Sequence, residues 1–273
     1  MADLSMNEMT TFRWSFEEDV HHYRNAGIDA IAIWRQKLSD YGEEKGIELL
    51  AESGLSVSAL SWAGGFTGSD GRSYRESIVD AREAIGLASD LRAGCLILYS
   101  GSRAGHTRNH ARRLFHNALK ELAPVAAERD VVLAIEPMHA GCSAEWTFLT
   151  GADETLDIIH SMDSSHIRMA FDVYHLGQDP AVLERLPQYV PLLGLVQLGD
   201  ARRPPNGEQN RCRLGEGIVP LREILDVLKS AGYDGYYDVE LMGEDLDNSD
   251  YGELIAHSKR TFDQLFGVLP VDC

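Results

Sequence analysis

Val131–Ile135 reads VVLAI and runs straight into Glu136, and Ile167–Phe171 (IRMAF) runs in the same way into Asp172. Two later apolar runs, Leu193–Leu198 (LGLVQL) and Tyr236–Glu240 (YYDVE), carry Gln197 and Glu240 at or near their C-terminal ends. Apolar runs of this length, bounded by polar residues, have the size of buried strands. Three more precede them, Ala30–Trp34 (AIAIW), Val57–Ser61 (VSALS) and Cys95–Tyr99 (CLILY), and a weak eighth opens the chain around Leu4–Met6. Between them lie stretches of helical period: Ser15–Asn25, Ser73–Leu91, Thr107–Arg129, Ala152–Met162, Leu221–Ala231 and Tyr251–Phe266. Ser15 before FEED has the form of an N-cap followed by an acidic first turn. Gly27, Gly54, Gly94 and Gly232 fall between a helix and the next strand, where C-cap glycines belong.

Strands alternating with helices imply parallel pairing. Apolar strands of this kind fit an open doubly wound sheet as well as a barrel, so the count of eight decides for an α/β fold, a single (β/α)8 TIM barrel. A chain of 273 residues could hold two domains of about 150 residues, but one barrel takes roughly 250. No linker or low-complexity block divides it, so residues 1–273 read as one domain.

Hydrophobic residues make up 44% and charged residues 25% of the chain, the composition of a soluble globular protein. Lys and Arg number 25 against 43 Asp and Glu, a net charge of −18. Nucleic-acid affinity comes largely from cations displacing counterions, so this balance excludes nucleic acid as a partner and disfavours a membrane surface. The opening MADLSMNEMTTFRW lacks the basic region and apolar core of a signal peptide, and no apolar run could span a bilayer. Cys95, Cys142, Cys212 and Cys273 are scattered, without a CxxC pair. They read as reduced thiols of a cytoplasmic protein.

Barrel chemistry sits at the C-terminal strand ends. There Glu136, Asp172, Gln197 and Glu240 stand on successive strands, the fifth to the eighth, and can converge. Three carboxylates in one space repel one another unless a cation neutralises them, which is the argument for a metal. The oxygen-only set favours Mn²⁺ or Mg²⁺, with Co²⁺ or Zn²⁺ as the further candidates.

EPMH at Glu136–His139, FDVYH at Phe171–His175, VQLGD at Val196–Asp200, NRCRLGEG at Asn210–Gly217 and YYDVE at Tyr236–Glu240 together resemble the xylose isomerase-like TIM-barrel superfamily. The closer resemblance is to its sugar isomerase/epimerase branch of ketose 3-epimerases, inosose isomerases and hydroxypyruvate isomerases. It is clear from about Leu96 to Glu240 and fainter before. The resemblance implies a divalent ion held by Glu136, Asp172, Gln197 and Glu240, with glutamine standing where many epimerases have histidine. It also implies that Glu136 and Glu240 move protons on opposite faces of a keto-sugar through an enediolate, with the metal stabilising that intermediate. His175, in D-x-x-H, would meet a substrate oxygen near the metal, and Arg211 the sugar's carbonyl or hydroxyl oxygens, with Arg213 as the alternative. Cys142 stands where many ketose epimerases carry a further glutamate, a departure from the free-ketohexose pattern.

Weaker signals remain. His106, just past the fourth strand and four residues before His110, is a candidate substrate contact, set against a surface role. Trp62 is a candidate wall against a sugar ring, and Trp34 is divided between that role and the core. His21 and His22 read as packing or surface residues, and Arg108, Arg112 and Arg113 as a solvated helix start. The Gly215–Glu216–Gly217 turn lies where barrels often hold phosphate, although Glu216 argues against it.

The leading expectation is a metal-dependent isomerase or epimerase of a keto-sugar or keto-glycoside, in a homodimer or homotetramer. Its nearest rival is a lyase or dehydratase sharing the enediolate and then eliminating. An abasic-site endonuclease would need a histidine-rich zinc cluster and a basic face, and a non-catalytic barrel would need no metal.

Overall fold

The computed structural model describes residues 3–267; Cys273 and the ends of the 1–273 domain expectation lie outside the described residues. Eight parallel strands close in sequence order into a barrel. They are β1 (Asp3–Asn7), β2 (Ala30–Trp34), β3 (Ser56–Gly64), β4 (Leu96–Tyr99), β5 (Leu133–Ile135), β6 (Ile167–Asp172), β7 (Leu193–Leu198) and β8 (Tyr236–Val239), with β8 pairing back onto β1. The sequence runs for β2 and β7 match the strands end to end. β3 is longer than its VSALS run and reaches Gly64, whereas β5 begins only at Leu133.

Helices α1 (Phe16–Asn25), α2 (Arg35–Tyr41), α3 (Glu43–Ser53), α4 (Tyr74–Asp90), α5 (Arg108–Glu128), α6 (Ala152–Met162), α7 (Val173–Leu176), α8 (Pro180–Tyr189), α9 (Leu221–Ser230) and α10 (Tyr251–Leu265) connect and cover them. Ser15 and Ser73 each close a capping box, with Glu18 and Glu76 reaching back to the cap backbone; losing such a cap costs about 1 kcal/mol. α9 buries Leu221, Ile224, Leu225 and Leu228 along one stripe, each contributing roughly 1.5–3 kcal/mol. Among the described residues no helix is long and apolar enough to cross a membrane.

Gly27, Gly54 and Gly232 take positive φ at helix ends, as their positions imply. Gly94 does not. After α4 the left-handed position belongs to Arg92, at φ 52°, and Gly94 instead lets two strands approach: a Cβ there would lie 2.7 Å from the Ser58 carbonyl oxygen.

The strand pleat sets the site. Side chains alternate between faces, and the helix-facing core takes Leu4, Met6, Ile31, Ile33, Leu133, Ile135 and their equivalents on the other strands. The barrel interior holds a separate, smaller cluster of Ala32, Ala59, Cys95, Ile97, Ala134, Ala170 and Leu195. Two residues further along the same interior face come Trp34, Tyr99, Glu136, Asp172 and Gln197, so the pleat that buries small residues in the barrel lifts these to its mouth. Asn7, Asp238 and Glu240 share the interior parity of β1 and β8.

One buried ion pair ties β1 to the first two helices. Lys37 Nζ donates to Asp19 Oδ2 at 2.5 Å and to the carbonyls of Glu8 and Thr11. Glu8, buried beside Asp19, has its pKa pushed well above the usual carboxylate range, by burial first and then by the Asp19 charge. The proton of this cluster is expected on Glu8, which would leave one ammonium facing one carboxylate. Removing one partner of a buried pair costs about 3–5 kcal/mol, so Lys37→Met is expected to lower stability by that amount. Glu8→Gln should cost under about 1 kcal/mol, since it replaces one neutral hydrogen-bonding group with another. Denaturant midpoints compare the two; equal losses would show that Glu8 is ionised.

Candidate functional site

The ends of β5 to β8 bring Glu136, Asp172, Gln197 and Glu240 together. Asp172 and Gln197 are register partners on β6 and β7. The backbone N–H of Glu136 donates to the Leu98 carbonyl, and that of Glu240 to the Leu198 carbonyl, which holds both glutamates to the sheet just past their strands. All four are buried. Asp172 also caps α7, its Oδ1 accepting from the Tyr174 N–H at 2.7 Å. Gln197 Nε2 donates to Glu240 Oε2, which leaves Gln197 Oε1 buried without a hydrogen-bond partner.

Arg211 enters this cluster almost fully buried. Its Nη2 lies 2.7 Å from Asp172 Oδ2, 2.9 Å from Gln209 Oε1 and 3.4 Å from Glu240 Oε1, and its Nη1 donates to the Glu240 carbonyl. Its guanidinium stacks 4.5 Å over the Tyr174 ring. Gly199, in the VQLGD motif, makes room: a Cβ there would lie 2.5 Å from Arg211 Nη1. Of the two arginines weighed from sequence, Arg211 is the one that reaches the carboxylates.

His175 sits on α7 with Nε2 3.9 Å from Glu136 Oε1 and 3.8 Å from Asp172 Oδ2. Its Nδ1 lies 3.5 Å from Cys142 Sγ, so the cysteine at the departure position buttresses the histidine. Glu136, Asp172 and His175 each offer a donor atom within 4.8 Å of the others. His175 is thus as close to the carboxylates as a ligand would be, although the sequence reading gave it only a substrate oxygen.

Electrostatics follow from crowding. Burial raises the pKa of Glu136 well above the usual range, and Glu240 and Asp172 raise it further. Glu240 is also raised, by burial, with Arg211 the main opposing influence. Asp238, one residue pair deeper, is pushed up to about 7 by burial and accepts from Asn7 Nδ2 at 2.8 Å. If all three carboxylates ionise, one guanidinium leaves the mouth short of positive charge by two, the charge of one divalent ion. Glu136 Oε2, His175 Nε2 and Gln197 Oε1 are all buried without partners, and such atoms are costly unless something binds them. The residues present fit a divalent cation.

Trp62 lies beside the carboxylate cluster. Trp62, Tyr99, Met138 and Glu240 line one small cavity of about 40 Å³. His106 does not join it: its Nε2 lies 3.2 Å from the Thr67 carbonyl oxygen and its ring stacks on His110. The β4–α5 loop thus ties the ring to the neighbouring loop rather than to the carboxylate cluster. His22 stacks on Trp14, and Arg108 pairs with Glu154, both structural. The Gly215–Gly217 turn is no phosphate cradle. The Asp200 carboxylate accepts from the N–H groups of Ala201, Gly215, Gly217 and Val219, so the donors an anion would need are taken. Sequence reasoning missed Asn7 and Tyr99, both strand-final residues on the interior parity, and Trp146, Gln209 and Asp200, which lie in loops with no period to mark them.

A family model described as xylose isomerase-like TIM barrel matches residues 20–261. D-psicose 3-epimerase of Enterocloster bolteae is 29% identical over 136 residues, which is 50% of this chain and only 38% of that protein. Inosose isomerase of Halalkalibacterium halodurans is 23% identical over a 275-residue alignment covering 94% of each chain. A crystal structure of a Sinorhizobium meliloti 1021 protein superposes with a TM-score of 0.89 at 26% identity, over 96% of this chain and 98% of that one.

The buried imidazole yields a pH prediction for the metal-free protein. Burial lowers the His175 pKa to about 4, against a partial upward pull from Asp172. An unfolded histidine titrates near 6.5, so below that pH the unfolded chain binds a proton that the folded chain refuses. Relative to His175→Asn, the wild type should lose stability as pH falls from about 6.5 to about 4, by up to about 1.4 kcal/mol per unit. Ring carbon–proton NMR checks the same point, and a His175 titration near 6.5 would refute it.

Proposed function

The chain belongs to the xylose isomerase-like TIM-barrel family, and on that premise we propose that it is a divalent-metal-dependent isomerase or epimerase of a keto-sugar or keto-glycoside. The observation that carries this reading is the convergence of Glu136, Asp172, Gln197 and Glu240 at the barrel mouth, with buried donor atoms left unpartnered around them. The names of the epimerase and isomerase relatives support the same class of substrate.

In this reading Glu136, Asp172, Gln197 and Glu240 hold Mn²⁺ or Mg²⁺, and His175 stands close enough to admit Co²⁺ or Zn²⁺ as well. When bound, the ion supplies Lewis acidity that makes a proton α to a carbonyl acidic enough to remove. Glu136 and Glu240, on β5 and β8, flank the substrate; one takes the α-proton and the other returns a proton to the enediolate. A carboxylate whose proton affinity is raised by burial is a stronger base than one in water, which suits it to a carbon acid. Asn7 Nδ2, at 3.4 Å, and Gln197 Nε2 both point at Glu240 Oε2, and this fixes the direction in which that oxygen presents itself. Arg211 holds Glu240 Oε1 and Asp172 from the other side and leaves His175 Nε2 free to meet a substrate oxygen.

Two measurements test this reading. Mn²⁺-loaded protein incubated with keto-sugars and 3-keto-glycosides in D₂O should place deuterium at the α-carbon with the skeleton retained. Glu136→Gln and Glu240→Gln should each slow exchange on the order of 10²- to 10⁴-fold. An enone product would convert the reading to elimination, and exchange with no substrate would defeat it. Elemental analysis should find one divalent ion per chain in the wild type and its loss in Glu240→Gln.

A further inference from the structure

Above the small cavity at Glu240 opens a second one of about 690 Å³, lined by Phe12, Trp34 and Trp146 among others. The two share Met9, Trp146, Gln209 and Met242 as a common wall, so the outer chamber leads onto the catalytic carboxylates. A chamber of this volume suits a ligand of several rings, whereas the inner cavity beside Glu240 holds far less.

The walls of the outer chamber are aromatic and open. Phe12 is 45% and Trp146 38% exposed, and large apolar rings left in water at a cavity mouth mark a surface built to be covered. Trp146 is not loose: its ring packs edge-on against Trp62 at 5.4 Å and tilted against Tyr99 at 5.8 Å. One fixed indole therefore bridges the inner and outer walls. Aromatic rings held in this way favour another aromatic ring, stacked or edge-to-face.

Among the described residues the charged side chains that line the chamber are all acidic, and Arg13 lies outside it over the Phe12 ring. Glu145, Glu208 and Asp247 line it, and no Lys or Arg does. The nearby Arg13 is spent on the Asp247 and Ser249 carbonyls and stacks on Tyr251. Arg211, below, is committed to Asp172 and Glu240, and the one anion cradle of the β7 loop is filled by Asp200. A phosphate ester would meet net repulsion here.

We infer, resting on the keto-sugar reading above, that the substrate is an unphosphorylated keto-glycoside with an apolar, aromatic aglycone. Its sugar ring lies against Trp62, Tyr99 and Glu240, and its aglycone lies between Phe12, Trp34 and Trp146. The aromatic mouth thus selects the substituent, while the carboxylate cluster acts on the sugar.

Calorimetric binding of phenyl and methyl β-D-glucopyranosides oxidised to the ketone at C3, and of the methyl glycoside 6-phosphate, tests this with and without Mn²⁺. The phenyl glycoside should bind at least tenfold tighter than the methyl one, and the phosphate ester at least tenfold weaker than its parent. Trp146→Ala and Phe12→Ala should each cut the phenyl-to-methyl preference below threefold. Phe12, at the surface, serves if the Trp146 variant misfolds. Glu145→Lys with Glu208→Lys should recover affinity for the phosphate ester. Equal affinity for phenyl and methyl, no binding of either, or tighter binding of the phosphate ester overturns the inference. Deuterium uptake with equal affinities defeats the inference alone, and a Phe12-dependent phenyl preference without deuterium uptake defeats the enediolate reading alone.

Discussion

Three carboxylates and one guanidinium share one buried space at the barrel mouth, and the rest of the molecule accommodates that fact. An isolated buried carboxylate costs several kcal/mol even after relaxation, and here Glu136, Asp172 and Glu240 are held together by strands that cannot spread apart. Arg211 offsets part of this cost. Its position is fixed from every side: Tyr174 under the plane, Gln209 and Asp172 at Nη2, the Glu240 carbonyl at Nη1, and Gly199 giving way beside it. Burial first, and then the neighbouring carboxylates, raise the proton affinity of Glu136 and Glu240 against the pull of the arginine. That excess attracts a cation and also makes a base of a carboxylate.

Much of this was legible in the chain because it is written in the period of the strands. A β-strand presents every second residue to one face, so Ala134 and Glu136, Ala170 and Asp172, or Leu195 and Gln197 had to share the barrel interior once the runs were recognised as strands. The barrel itself followed from counting those runs. The sequence was silent where geometry is made by pairs distant along the chain. Asp200 and the residues that donate to it lie up to nineteen positions apart with no local pattern. Trp146 sits in an irregular loop, and Asn7 ends the one strand whose hydrophobic signal was weak.

Between β2 and β3 the sequence marks a helix only through Gly54 at its end, and α2 and α8 escape the sequence reading. α2 follows Trp34, which makes no side-chain cap, so its start carries no usual boundary signal; α8 does carry one, Asp179 capping ahead of Pro180, but Pro187 interrupts its helical period. His106 shows a different limit. Being just past a strand end places a residue on the right rim, but the loop decides which way it turns, and here it turns to the Thr67 carbonyl.

The Asp200 carboxylate is in effect an anion tethered to the chain, always present at a concentration no free phosphate can match. It has a consequence for how this barrel could change its diet over evolutionary time. Exchanging Asp200 for a small residue would free four backbone donors, but it would also remove the group that gives the Gly215–Val219 loop its shape. Phosphate binding at this rim would therefore require rebuilding a whole loop, a step that point mutation reaches poorly. Changes of taste at the aromatic mouth, by contrast, lie one side chain away.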